Sequence, residues 1–121
     1  MKLKEIGQQL AFEVWAARGQ LEKEVTSGYA TDMLSCAMAK VQVGCVWVTL
    51  QVHSNVVAVA SLTDAAGVII TEGAKPDAAT IKKAEEEGVP ILTTDLTTFT
   101  VVSRLFELGV LGVDDDRVSS E

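Results

Sequence analysis

Histidine occurs once in this chain, cysteine and proline twice each, and aromatics make up only 5% of its 121 residues. Each scarcity excludes something. Two cysteines and one histidine cannot supply the usual four-ligand zinc set, and no metal or cofactor is expected. Cys36 and Cys45 read as ordinary buried thiols, and their spacing leaves open whether they approach each other. With so few aromatic rings, the core must be built from Val, Ile, Leu and Ala. Basic residues are also scarce: 10 Lys and Arg against 17 Asp and Glu give a formal charge of −7 and a pI near 4.6. A nucleic-acid partner needs a basic footprint to neutralise phosphates, and an anionic membrane surface is disfavoured for the same reason. No apolar run approaches the roughly 18 residues of a spanning helix. The first ten residues carry Glu5 and Gln8 where a signal peptide would be apolar, so the expected location is cytoplasmic.

Familiar catalytic signatures are missing as well. The chain contains no G-x-x-x-x-G-K-[ST] phosphate loop, no G-x-G-x-x-G after a strand and no G-x-S-x-G elbow. Glu85, Glu86 and Glu87 are consecutive on a predicted helix, so they fan around it instead of converging as a paired-carboxylate site.

What is present is a repeated construction. CVWVTL ends at Leu50, GVIITE at Glu72 and VPILTTD at Asp95; each is a short apolar run that closes on Thr and leads into a helix-like stretch. Strands buried on both faces read as continuous apolar runs, and helices between them impose parallel pairing. The expected fold is α/β, a three-layer α/β/α sandwich around a mostly parallel sheet. Length predicts one domain, drawn here over residues 1–111, with 112–121 as an acidic frayed tail.

The remaining elements follow from periodicity and caps. Leu3, Ile6 and Leu10 predict a helix over residues 2–10. Residues 12–16 and 25–30 predict strands, which could join the main sheet or form a separate hairpin. Asp32 stands where it would cap a helix beginning at Met33, and Ser54 or Asn55 would cap the crossover helix after His53. Asp77 at the front and Gly88 at the back bracket a helix over 78–87. Thr97 or Thr98 opens the last helix.

Parallel strands place their carboxyl ends on one edge, which is where open α/β sheets bind ligands. Thr49, Thr71 and Thr93 therefore share a rim, with His53, Ser54, Asn55, Gly73 and Thr94 in the loops beside them. Threonine hydroxyls donate and accept, and helix starts offer free amides to an anion. The same residues could equally do no more than cap helices and satisfy loop backbone. His53 could bind an anion or move a proton, but as a general base it would need an orienting partner, with Asp32 and Asp95 as the candidates. An exposed Trp15, Tyr29 or Trp47 would mark an interface.

The stretch from Tyr29 to Leu108 resembles the DRTGG domain family. The matching pieces are Thr49 through Asn55-VVAVAS, Ile70-Thr71-Glu72-Gly73 with Pro76, and Gly88-Val89-Pro90-Ile91-Leu92-Thr93-Thr94. That module occurs beside CBS domains in some pyrophosphatases and in phosphotransacetylases. It is similar to the N-terminal domain of HPr kinase/phosphorylase, which lacks the kinase phosphate loop. Where the family has Gly-Asp-Arg this chain has Gln51-Val52-His53, and where it has Thr-Gly-Gly this chain has Thr71-Glu72-Gly73. The resemblance implies a non-catalytic regulatory or protein-interaction module that forms a homodimer, with a possible further protein partner. The alternative is a sensor that binds a small anionic metabolite or nucleotide at the Thr-rich rim. An enzyme built on His53 is the third reading, and no catalytic residue is assigned.

Overall fold

Five strands form one sheet in the order β1-β5-β4-β3-β2, where β1 is Glu13–Ala16, β2 Ser27–Ala30, β3 Cys45–Thr49, β4 Gly67–Ile70 and β5 Ile91–Thr93. The computed structural model describes residues 1–118. Strands β2, β3, β4 and β5 are mutually parallel, and β1 runs antiparallel to β5 with a register irregularity between Val14 and Ala16. Both segments left open in the sequence thus join the main sheet, at its opposite edges.

Period-two alternation distributes the strand side chains between two cores. Cys45 and Trp47 of β3, Val68 and Ile70 of β4 and Ile91 of β5 face α2 (Leu34–Lys40), α3 (Ser54–Leu62) and α4 (Ala78–Glu87) through Ala37, Val57, Ala60 and Ala84. Val46, Val48, Ile69 and Leu92 face α1 (Leu3–Gln9) and α5 (Thr98–Glu107) through Leu3, Ile6, Val101 and Leu105. The result is the expected three-layer α/β/α sandwich. Small residues allow the close approach of α1: a Cβ at Gly67 would meet Leu3 Cδ2 at 2.6 Å and Pro90 O at 3.3 Å. Trp47 is fully buried and its indole N–H donates to Thr31 O at 2.9 Å, which joins the large apolar body to a satisfied polar tip.

The chain does not leave the sheet at Gly112. Gly28 N–H donates to Leu111 O at 2.8 Å and Val113 N–H donates to Gly28 O at 3.1 Å, so residues 111–113 cover part of the outer edge of β2. Of the predicted acidic tail, residues 119–121 lie outside the described residues.

Two local expectations are corrected. Asp32 does not cap α2: the residue before that helix is Met33, which has no side-chain cap, and Thr31 Oγ1 accepts from Met33 N–H at 3.1 Å. Ser54 and Asn55 do not cap α3 but occupy its first turn, and His53 is the cap. Asp77 and Thr97 cap α4 and α5 as expected, and Gly88 closes α4.

Candidate functional site

Thr49, Thr71 and Thr93 stand together at the carboxyl edge: Thr71 N–H donates to Thr49 O and Thr94 N–H to Ile70 O, each at 3.1 Å. Their side chains are buried and do not face a common opening. Strand parity sends them to different sides. Thr49 and Thr93 lie on the face of Trp47 and Ile91, whereas Thr71, one residue beyond Ile70, turns toward α5.

Each hydroxyl has a distinct fate. Thr49 Oγ1 donates to Asp32 Oδ1 at 2.9 Å, and the same carboxylate oxygen accepts from Leu50 N–H at 2.7 Å. Asp32 thus ties the end of β2 to the end of β3, which is why it is not available to α2. Thr71 Oγ1 and Thr98 Oγ1 share a hydrogen bond of 2.7 Å. Thr93 Oγ1 is buried with no hydrogen-bond partner. Thr94 Oγ1 accepts from Leu96 N–H at 3.1 Å, which braces the loop after β5.

His53 is exposed, and its Nδ1 accepts from Asn55 N–H at 3.1 Å. An arginine at this position could not do this, because a guanidinium has no acceptor. Ser54 is half-buried and Asn55 exposed beside it. The starts of α3 and α4 are joined because Thr80 Oγ1 donates to Val52 O at 3.0 Å. Asp77 accepts from Thr80 N–H at 2.8 Å. That backbone donor, then the Thr80 hydroxyl, and to a lesser degree the His53 charge, hold the Asp77 carboxyl below its usual range. Asp77 is thus an acid whose charge couples to His53, and it is already engaged as a cap.

The loop after β4 is a tight turn with Glu72 at φ 61° and Gly73 at φ 79°, closed by Ala74 N–H on Thr71 O at 3.3 Å. Two positive φ values in succession define a type I′ turn, which favours Gly and Asn. Glu72 N–H and Gly73 N–H donate to Leu96 O and Thr94 O, and Glu72 Oε2 accepts from Thr98 N–H at 3.3 Å. This turn locks the β4 and β5 loops together.

Among the rim residues, Thr93 and Thr94 border a cleft of about 450 Å³ beyond the end of β5, together with Glu13, Lys75, Asp95 and Arg104. Of those four charged residues only Asp95 was singled out from the sequence, and there as a partner for His53; Glu13, Lys75 and Arg104 were not. A larger cavity of about 690 Å³ shares Ala11 and Glu13 with this cleft and is lined also by Leu3, Phe12, Val14 and Leu92. The exposed apolar residues were missed too: Phe99 is 84% exposed, Phe106 59% and Val102 43%, at helical spacing on α5. Their signal was present, since α5 carries apolar residues on two sides and only Val101 and Leu105 reach the core. Trp47 is buried and Trp15 and Tyr29 are half-buried, so no ring of these three is fully exposed.

The thiols differ. Cys45 is buried, and burial pushes its thiol up to about 11. Cys36 is only partly buried, with its Sγ 3.5 Å from Met33 Sδ, contrary to the expectation of two buried thiols. Among the described residues no three His, Cys, Asp or Glu side chains cluster as a metal site requires, and no helix is long and apolar enough to cross a membrane.

No curated protein matches the chain. Among solved structures it is similar to the CBS and DRTGG domains of the regulatory region of Clostridium perfringens pyrophosphatase, crystallised with the activator diadenosine tetraphosphate. The TM-score is 0.71 at 20% identity, and the match covers 98% of this chain. This chain spans about half of that one, 53% of its length. The family model for the DRTGG domain matches residues 6–108, which is most of the sandwich described above, and the chain belongs to the DRTGG domain family.

Proposed function

We propose that this chain is a non-catalytic regulatory module that works by association, with a second copy of itself as the partner. The observation that carries this reading is the apolar stripe of Phe99, Val102 and Phe106 on α5. Val102 also borders a groove of about 230 Å³ lined by Tyr29, Val48, Leu105, Val110 and Leu111, so stripe and groove form one apolar surface. The stripe is self-complementary. In an antiparallel pairing of α5 about Val102 and Ser103, Phe99 of one copy meets the partner's Phe106, as two-fold symmetry requires. Burying a phenylalanine is worth about 1.5–3 kcal/mol, and the symmetric pair buries Phe99 and Phe106 from each copy.

Commitments within the fold support the non-catalytic part. His53 Nδ1 accepts from Asn55 N–H, Asp32 accepts from Thr49 and Leu50, and Asp77 accepts from Thr80, so each of these groups already serves the frame. Light scattering tests the association. At micromolar concentration the expected mass is twice the 12.9 kDa chain. Phe106→Glu should return it to one chain with an unchanged circular dichroism spectrum. Because each copy carries −7, added salt should tighten the dimer by screening repulsion. A monomeric parent, or a dimer indifferent to both Phe106→Glu and Phe99→Glu, refutes the proposal.

A second reading has its own support. The unpartnered Thr93 hydroxyl beside an open cleft favours a small ligand at the carboxyl edge, with Thr93 and Thr94 from the expected rim taking part. Thr49 and Thr71 would then serve the frame, and His53, Ser54, Asn55 and Gly73 are not among the residues that line this cleft. A thermal-shift screen with nucleotides and phosphorylated sugars tests this sensor reading.

A further inference from the structure

The cleft beyond β5 has a charge arrangement that the sensor reading does not explain. Lys75 and Arg104 bring two positive charges to it, and Glu13 and Asp95 bring two negative ones. Among the described residues, Lys75, Arg104 and Asp95 make no side-chain hydrogen bond or ion pair with another protein group, and Glu13 accepts only from Trp15 Nε1, at 2.7 Å. Lys75 Nζ lies 5.6 Å from the Trp15 ring centroid, a cation–π contact. Charges of both signs thus border one opening without closing on each other.

We propose that this cleft binds a small zwitterion, an α-amino acid or a compound with the same paired ammonium and carboxylate. The proposal rests on the reading of the module as a ligand sensor and names the class of ligand. Three arguments favour a zwitterion over an anion. The lining charges cancel, so an anion gains little from the cleft as a whole. The chain as a whole carries −7, which repels an anion approaching from solution and leaves a neutral zwitterion unaffected. A molecule carrying both charges engages both sets of side chains at once, with its carboxylate toward Lys75 and Arg104 and its ammonium toward Asp95 and Glu13.

The position and size agree. Thr93 pairs with Glu13 in the β1–β5 register, so the strand end carrying the unpaired hydroxyl adjoins one of the carboxylates. That hydroxyl is buried at the cleft's border and makes no hydrogen bond within the protein. The site lies where the parallel ladder ends and the antiparallel edge begins, outside the carboxyl end of β5. A cleft of about 450 Å³ lies within the range of small-molecule sites.

The test uses the full chain, with the common amino acids, their N-acetyl and methyl-ester derivatives, inorganic phosphate and ATP as probes in thermal shift and calorimetry. The expected result is binding of one or more free amino acids, lost in both derivatives of the same compound. Arg104→Gln and Asp95→Asn should each weaken it by tenfold or more, as should Thr93→Val. Binding of phosphate or ATP with no response to amino acids overturns the zwitterion but keeps the sensor. Amino-acid binding that persists in both Arg104→Gln and Asp95→Asn overturns the assigned cleft. No response to any probe removes the sensor reading together with this one.

Discussion

Glu72 is held with φ at 61°, a left-handed conformation in which an L side chain crowds the backbone. The cost is about 1–2 kcal/mol for a residue with a Cβ and negligible for glycine. Opposing this, Glu72 Oε2 accepts from Thr98 N–H at 3.3 Å, at the start of α5. A carboxylate at a helix N-terminus contributes about 0.3–1 kcal/mol when exposed. Two substitutions separate the terms. Glu72→Ala loses the contact and keeps the crowding, so it should be less stable than the parent by about 0.3–1 kcal/mol. Glu72→Gly loses the contact and the crowding together, offset by about 0.4–1 kcal/mol for the greater freedom of glycine in the unfolded chain. The net expectation places Glu72→Gly above Glu72→Ala by about 0.5–1 kcal/mol. For a chain of this size that is a difference of about 2–5 °C in Tm. Urea denaturation read by tryptophan fluorescence, with unchanged slope, measures it directly. Equal or greater stability of Glu72→Ala would refute the claim that the turn is strained at this residue. A glycine at this place in the family motif has the same explanation: the turn calls for positive φ.

Four further outcomes follow from the geometry. Ellman's reagent should label one thiol in the native state, Cys36, and a second only on unfolding, because Cys45 is buried and its thiol is pushed up to about 11; rapid native labelling of both would contradict that placement. Cys45 also makes stability fall as pH rises between the ordinary value of 9 and about 11, since the unfolded thiol ionises first; Cys45→Ala should flatten the Tm profile in that window. Asp77 has its folded carboxyl lowered, so its contribution is full at neutral pH and lost as pH falls through the acidic range; Asp77→Ala should lower Tm at pH 7 and converge with the parent in acid, and a constant offset at all pH values would contradict the cap. Gly67→Ala forces a methyl against Leu3 Cδ2 and Pro90 O, and the expected loss is about 1–3 kcal/mol by chemical denaturation; a neutral result would mean that α1 yields freely.

The central strands were legible because burial on both faces leaves an uninterrupted apolar signature, as in Cys45–Thr49 and Gly67–Ile70. The edges were harder to place. β1 is short and partly exposed, and β2 contains Gly28, so neither carries a pattern that says what it pairs with. The shared carboxyl edge of Thr49, Thr71 and Thr93 was foreseeable from parallel pairing. The direction of each hydroxyl was not, because it depends on a register in which Ile70, not Thr71, lies opposite Thr49 and Thr93. Asp32 shows the limit of local capping rules: its better partners, Thr49 and Leu50, are 17 and 18 residues away. The charged cleft required the loops after β4 and β5 to be placed beside β1 and α5, which no local spacing reveals.

The docking of residues 111–113 along β2 bears on self-association through the sheet. A bare outer ribbon invites further ribbons to add to it, and addition of that kind has no natural end. With Leu111 and Val113 already bonded to Gly28, part of that template is consumed from within the same molecule. Edge-to-edge polymerisation is thereby opposed, and trimming the chain before Leu111 should raise its tendency to form fibres or gels.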